Sequence, residues 1–383
     1  MTPSAGIAAS PANALPRLDS LTGLRFFAAY LVLQHHFTNF AQLPGLVRYT
    51  GFGATGVTFF FVLSGFVLTW SFQPSDTAPR FYWRRFARIV PLHVVTTVIA
   101  LPVFYSGRDV PYDWTAIALS FLLLHAWVPT ATTYFAGNPA SWSLSCEMFF
   151  YAVHPFIVRP VLRAGVIALA VLTVLVLAAL YIVADAAIEM SARIAGWLLY
   201  VSPLFRVGEF FVGVALAAAV KRGVRFPVRL IPATVLLGVW VVVYYNIGPH
   251  LGADWRIFIA DLNYPMLAVL YASIIAAAAQ LDLGAQRSWL RLRPMVALGQ
   301  WSYALYLIHA TIIYGFIHVF GSRQSVVFAN AWWLLLISLV AVAASGILYH
   351  AIEYPVERRL RGMLKRTALP APSQVATQTG GAT

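Results

Sequence analysis

Charge is scarce in this chain. Asp, Glu, Lys and Arg together make 10% of its 383 residues, and Lys221 and Lys365 are the only lysines. A single cysteine, Cys146, excludes an internal disulfide framework. Histidines at metal-ligand spacing are lacking too. His35 and His36 are adjacent and no His-x-x-x-His occurs, so no metal is expected. No internal repeat and no appended polar domain is visible. What remains is apolar. Hydrophobic residues make 60% of the sequence and the mean hydropathy is +0.76, more than a water-soluble core can bury. The net charge of +13 therefore reads as basic loops beside a membrane and not as a nucleic-acid surface.

Apolar stretches, most long enough to cross a bilayer, lie near 21–40, 52–72, 89–106, 115–131, 142–158, 165–184, 198–220, 230–247, 259–280, 297–318 and 331–352. The fold class is all-α, a polytopic membrane helical bundle. No small-residue cleavage site follows the first stretch, so it is expected to be a retained span. Loop charges decide how many stretches cross. If 142–158 does not, 19 basic residues share the side of both termini and 5 lie opposite, with Arg25 and Arg206 inside spans. If it does, every later loop swaps sides and the asymmetry collapses. The prediction is ten crossings with both termini cytoplasmic. The segment 142–158 becomes a re-entrant or in-plane helix, allowed only where protein or water covers its polar groups. One membrane domain, 17–366, is expected between tails at 1–16 and 367–383 whose composition reads as disordered.

Polar residues inside the spans carry the functional signal. Arg25 and His36 are eleven residues apart. Eleven steps of about 100° return to within about 20° of the start, so both side chains leave one face, roughly 16 Å apart along the axis. Such a stripe is costly in lipid and is expected to face a protein-lined cavity. His35 lies about 80° off that face. In FRVGEFF, Arg206 and Glu209 form an i,i+3 pair whose simplest reading is self-neutralisation. Cys146, alone in apolar surroundings, reads as a small core residue.

Five segments resemble the acyltransferase-3 family of integral membrane acyltransferases. They are TGLRFFAAYLVLQHHF, GATGVTFFFVLSGFVLTW (53–70), RFYWRRFARIVPLHVV (80–95), SWSLSCEMFFYAVHP (141–155) and LGQWSYALYLIHATII (298–313). The match runs from about residue 18 to 360, and it rests on order and spacing as a set. It implies transfer of an acyl group, commonly acetyl from acetyl-CoA, to a hydroxyl of a saccharide, lipid or secreted small molecule. A bacterial inner membrane is the implied location. The family's arginine-to-histidine motif falls on Arg25 and His36, and its Arg-x-x-Arg element on Arg85 and Arg88. The acidic residue after Trp-Ser-Leu falls on Glu147. The Tyr-x-x-Tyr-Leu-x-His element falls on Tyr303, Tyr306 and His309. Glu147 departs from the pattern in its neighbours, which read Cys-Glu-Met where the family often shows Glu-Glu or Glu-Trp. Gly53, Gly56, Ser64 and Gly65 are expected to allow close helix approach.

On this reading His36 is the general base that takes the hydroxyl proton as the oxygen attacks the thioester. An acyl-histidine intermediate is the alternative. Glu147 orients a histidine or holds the acceptor hydroxyl. Arg84, Arg85 and Arg88 match phosphate geometry and are expected to bind the nucleotide of the acyl-CoA donor, against the plainer reading of membrane anchoring. Helix depths place His36, His309 and Arg206 in one layer. With Glu209, Tyr303 and Tyr306, this layer is the expected acceptor end of a polar tunnel. Acyl-CoA enters as donor substrate, no bound cofactor is expected, and no nucleic acid is a partner. A secondary transporter is the competing class, since intramembrane charges suit transport as well. The acceptor and the acyl length stay open.

Overall fold

The computed structural model describes residues 16–45, 47–105 and 112–366. The tails at 1–15 and 367–383, and Arg108, lie outside the described residues. Helices dominate. In chain order they are α1 (Asp19–Phe37), α2 (Gly56–Ser71), α3 (Ala78–Tyr105), α4 (Trp114–Phe121), α5 (Ala131–Tyr134), α6 (Trp142–Arg163) and α7 (Val166–Ala186). There follow α8 (Ala192–Gly196), α9 (Pro203–Lys221), α10 (Leu230–Val242), α11 (Ala253–Leu283), α12 (Arg293–Phe320), α13 (Asn330–Leu348) and α14 (Tyr354–Arg366). A small parallel pair, β1 (Ala41–Gln42) and β2 (Arg323–Val326), ties the end of α1 to the loop after α12.

Among the described residues, eight helical stretches are long and apolar enough to cross a membrane, built on α2, α3, α7, α8–α9, α10, α11, α12 and α13–α14. Two more helices run the length of these. α1 lies parallel to α12, with Thr22 against Gly299 at one end and Phe40, just past α1, on Phe316 at the other. α6 lies parallel to α9. The Cys146 thiol donates to the Val201 carbonyl at one end, and Arg222 donates to the Leu162 carbonyl at the other. Their 19 and 22 residues rise about 28 and 33 Å, enough to span. Their polar residues, Arg25 and the two histidines in α1 and Glu147 in α6, lower their hydropathy without shortening them.

The course of α6 corrects the expectation of a re-entrant helix near 142–158. The element that fails to cross is the preceding apolar stretch. α4 stops after 8 residues, a rise of about 12 Å. Leu123 then adopts a left-handed conformation at φ 57°, and a short turn at His125–Trp127 redirects the chain. The segment enters beside the Tyr105 end of α3 and reaches the level of His93, whose Nε2 donates to the Ser120 carbonyl over 3.0 Å. It then returns, so that the Gly137 amide donates to the Tyr105 hydroxyl. Its inner polar groups, Ser120, His125, Asn138 and Ser141, are covered by protein, as a re-entrant backbone requires. Ser141 Oγ lies 3.2 Å from His125 Nε2, and Asn138 Nδ2 donates to the Leu307 carbonyl. One of the two stretches still stays out of the crossing count. Both ends of the described chain lie on the basic face.

α2 and α9 cross backbone against backbone. A Cβ at Gly65 would strike the Phe210 carbonyl oxygen, and one at Gly213 would strike that of Val62. Two glycines thus let the backbones touch. Lys221 finishes the pair by donating to the Thr69 and Phe72 carbonyls, a cation on the carbonyl end of α2. α14 leaves α13 through one wide turn at Tyr349–Glu353 and lies along α3, where Trp83 donates to the Leu360 carbonyl.

Candidate active site

A cavity of about 310 Å³ opens among α1, α2, α3, α6, α12 and α14. Helical spacing builds its walls. Arg85 and Arg88 come from one face of α3, Ser143, Glu147 and Tyr151 from one stripe of α6, and Ser302, Tyr303 and Tyr306 from α12. Arg25 projects from α1, and Glu357 and Arg361 from α14. Arg88 is held by two carboxylates, Glu353 at 2.5 Å and Glu357 at 3.0 Å. Arg25 and Arg85 have no ion pair among the described residues. The Arg85 guanidinium rests between the Phe81 and Tyr151 rings at 5.9 and 6.0 Å, and its buried Nε has no hydrogen-bond partner. The cavity thus holds two guanidinium groups outside ion-pair distance of any described carboxylate, with Glu147 in the same lining.

The lining stops at Tyr306 and Phe60, whose rings meet edge to face. Behind Tyr306 lie His309 and His36. The two imidazoles meet edge to face with centroids 4.9 Å apart. Their hydrogen bonds fix their tautomers. His309 Nδ1 is 2.6 Å from the Tyr306 carbonyl, which can only accept, so Nδ1 carries the hydrogen and Nε2 of the neutral ring keeps its lone pair. His36 Nδ1 is likewise protonated against the Val32 carbonyl at 2.9 Å, and it also donates to His309 Nε2 at 3.3 Å. His36 Nε2 is thereby left as the basic nitrogen. The arrangement orients one imidazole by another and presents its free lone pair.

A family described as an acyltransferase domain matches residues 18–350. The chain belongs to the acyltransferase-3 family. It is an integral membrane acyltransferase. It is 33% identical to the acyltransferase MdmB of Streptomyces mycarofaciens over 93% of this chain and 96% of that one. It is 26% identical to nodulation protein 10 of Rhizobium leguminosarum bv. viciae over 90% and 94% of the two chains. Similarity to the O-acetyltransferase OatA of Staphylococcus aureus is 24% over 89% of this chain, which spans 57% of that protein. No solved structure matches the chain.

The family's motif positions do not all meet. Arg25, Arg85, Arg88, Glu147, Tyr303 and Tyr306 share the cavity, and His36 and His309 pair behind it. Arg84 turns away to Asp76 at 2.7 Å, which corrects its expected place with Arg85 and Arg88. Glu147 accepts from the Tyr151 hydroxyl over 2.9 Å and faces Arg25 across the cavity, so its hydrogen-bond partner is a phenol and not a histidine. Tyr303 donates to the Ile89 carbonyl and carries Arg88 over its ring at 5.7 Å, placing it on the arginine side of Tyr306 and outside the expected acceptor layer. Arg206 and Glu209 also separate from the histidines. They bind each other at 2.6 Å, together with Thr58 and the Tyr200 carbonyl, and both are nearly fully buried. Their self-neutralised pair joins α9 to α2. Cys146 is a buried core residue. Among the described residues no three metal-binding side chains converge.

Sequence reasoning passed over Ser143, Tyr151, Glu353, Glu357 and Arg361. Ser143 Oγ is 2.7 Å from the Tyr306 hydroxyl, and so fixes the ring that separates cavity from histidines. A signal for the last three did exist. They are spaced i, i+4, i+8 in EYPVERRLR, an acidic-acidic-basic stripe inside a basic tail.

Proposed function

We propose that this acyltransferase moves an acyl group, acetyl in the first instance, from acyl-CoA to a hydroxyl of a saccharide, lipid-linked sugar or secreted small molecule. The single observation behind this reading is the juxtaposition of an arginine-lined cavity with a histidine whose Nε2 is free, divided by one tyrosine. The basic face is the cytoplasmic one, in a bacterial inner membrane, and the cavity opens toward it beside α14. The donor's phosphates pair with Arg85 and Arg88, and its pantetheine arm runs inward past Arg25 and Glu147. The acceptor comes to the histidine pair from the other face or from lipid. Its oxygen attacks the thioester carbonyl while His36 Nε2 takes the proton. The tetrahedral intermediate collapses, the carbon–sulfur bond breaks, and the CoA thiolate recovers the proton from the imidazolium. Glu147 balances the charge of Arg25 in the donor arm's path. A hydroxyl acceptor is in keeping with relatives named O-acetyltransferases.

The test is acyl transfer from radiolabelled acetyl-CoA in membranes holding wild type or His36→Ala at equal protein levels. Label in an extractable product from wild type alone supports the reading and delivers the acceptor. Equal labelling in both removes His36 from the chemistry.

A further inference from the structure

We propose that Arg361 is a donor-binding residue and that Glu357 holds the place of a donor phosphate in the unliganded protein. The proposal rests on the acyl-CoA reading and extends its phosphate site onto α14.

Glu357 bridges two arginines with its two oxygens. Oε2 meets Arg88 at 3.0 Å and Oε1 meets Arg361 at 2.5 Å. Both arginines line the cavity, as does the unpaired Arg85. A carboxylate clamped between two guanidinium groups occupies the position that two oxygens of a phosphoryl group would take. The clamp is open to exchange from the Arg361 side. The Arg361 side chain is 42% exposed, against 22% for Arg88. Arg88 does not become bare when Glu357 leaves, because the buried Glu353 still holds it. Arg361 has no second carboxylate among the described residues, so its charge is freed for the incoming phosphate. α14 is fixed beside this exchange by the Trp83 bond to Leu360. Arg84, which the Arg-rich cluster in the sequence put forward for this role, is taken by Asp76. Arg361 replaces it as the third cation.

A phosphate at this position can belong to the donor nucleotide or to a lipid headgroup, and the experiment separates them. Binding is measured on purified full-length protein in phosphatidylcholine nanodiscs, with acetyl-CoA and with acetyl-pantetheine, which lacks the nucleotide and its phosphates. Arg361→Gln should weaken acetyl-CoA by roughly 10- to 30-fold, the loss of one charge-assisted pair, and leave acetyl-pantetheine unchanged. Arg361→Lys should recover part of the loss. Glu357→Gln removes the competing carboxylate and should tighten acetyl-CoA several-fold. A merely structural Glu357 gives the opposite sign, weakening both ligands alike. Unchanged acetyl-CoA affinity in Arg361→Gln, with affinity lost in Arg85→Gln, overturns the proposal and leaves the donor reading intact. The same follows if Arg361→Gln loses only binding of added phosphatidylglycerol, since the phosphate is then a lipid's. Wild-type protein that does not discriminate acetyl-CoA from acetyl-pantetheine overturns proposal and reading together.

Discussion

Removing the His309 ring tests which of the two paired histidines does the chemistry. The geometry ranks them unequally. His309 commits Nδ1 to the Tyr306 carbonyl and Nε2 to His36, so neither nitrogen is free. His36 commits Nδ1 alone. On the proposed mechanism His309 therefore acts through His36, by holding its Nδ1–H tautomer and ring plane. That hold is one long neutral hydrogen bond at 3.3 Å, beside a better one to Val32 at 2.9 Å. A neutral bond of this kind contributes about 0.5–1.5 kcal/mol net, so losing it costs about 2- to 13-fold in rate. Losing a positioned general base costs more, roughly 10²- to 10⁴-fold. The ladder of expected kcat values is wild type, then His309→Gln within a few-fold, then His309→Ala down about tenfold, then His36→Ala far below. Gln keeps an acceptor oxygen near the place of Nε2 and should do better than Ala. His309 is fully buried, so truncation also leaves a cavity. Rates are therefore taken per monodisperse protein, by CoA release in detergent after size exclusion. If His309→Ala falls as far as His36→Ala while both stay folded, His309 is itself the base or nucleophile and the tautomer argument is wrong.

Three further outcomes follow from packing, pairing and topology. Gly65→Ala and Gly213→Ala should each lower the thermal midpoint in detergent, at a cost of about 1–3 kcal/mol for an overpacked contact, whereas Gly315→Ala, with open space around it, is the silent control. Arg85→Gln should raise the KM for acetyl-CoA about tenfold or more, because an uncompensated cavity cation is lost. Arg84→Gln should leave that KM within about threefold, since its partner is Asp76. In a Cys146→Ser background, Asn39→Cys and Thr132→Cys should react with an impermeant thiol reagent from one side and Arg222→Cys from the other. Reaction of Thr132→Cys from the Arg222 side would mean that 114–134 crosses.

The sequence made some of this legible because helical periodicity carries it. Arg25 and His36 share a face by arithmetic alone, and helix depth puts His309 in the same layer as His36. The near-coincidence of Tyr303 with His309 was an error of rise. Six residues separate them, about 9 Å along the axis, enough to put one in the donor cavity and the other behind Tyr306. The re-entrant segment was misplaced for a different reason. No charged residue lies between Asp113 and Glu147, so loop charge cannot tell which of two apolar stretches fails to cross. The break at Leu123 is a backbone conformation with no glycine or proline to mark it. Arg361 was hidden by its company. Among Arg358, Arg359, Lys365 and Arg366 it reads as one more anchoring charge, and only the packing of α14 against α3 selects it.

Tyr306 carries the last consequence. It is the residue through which the donor cavity and the histidine pair meet, and its two ends act differently. Its carbonyl holds His309 from the backbone, while its ring and hydroxyl close the cavity against Phe60 and Ser143. Swinging the ring gives up its contact with the His309 imidazole at 5.8 Å but leaves the bond to His309 in place, because that bond comes from the backbone. Opening costs the Ser143 hydrogen bond, about 1 kcal/mol, which a thioester entering the gap can offset. On the proposed mechanism, a closed ring would keep water on the acceptor side from a bound thioester until an acceptor is in place. Tyr306→Phe should therefore leave both transfer and hydrolysis within a few-fold, since the ring is retained. Tyr306→Ala should join the two spaces and release CoA from acetyl-CoA without acceptor, with acetate as the second product. That hydrolysis should vanish in the Tyr306→Ala, His36→Ala double variant, because His36 activates the water. Acceptor-independent CoA release no faster in Tyr306→Ala than in wild type, with the variant folded and still binding acetyl-CoA, would show that the ring divides nothing.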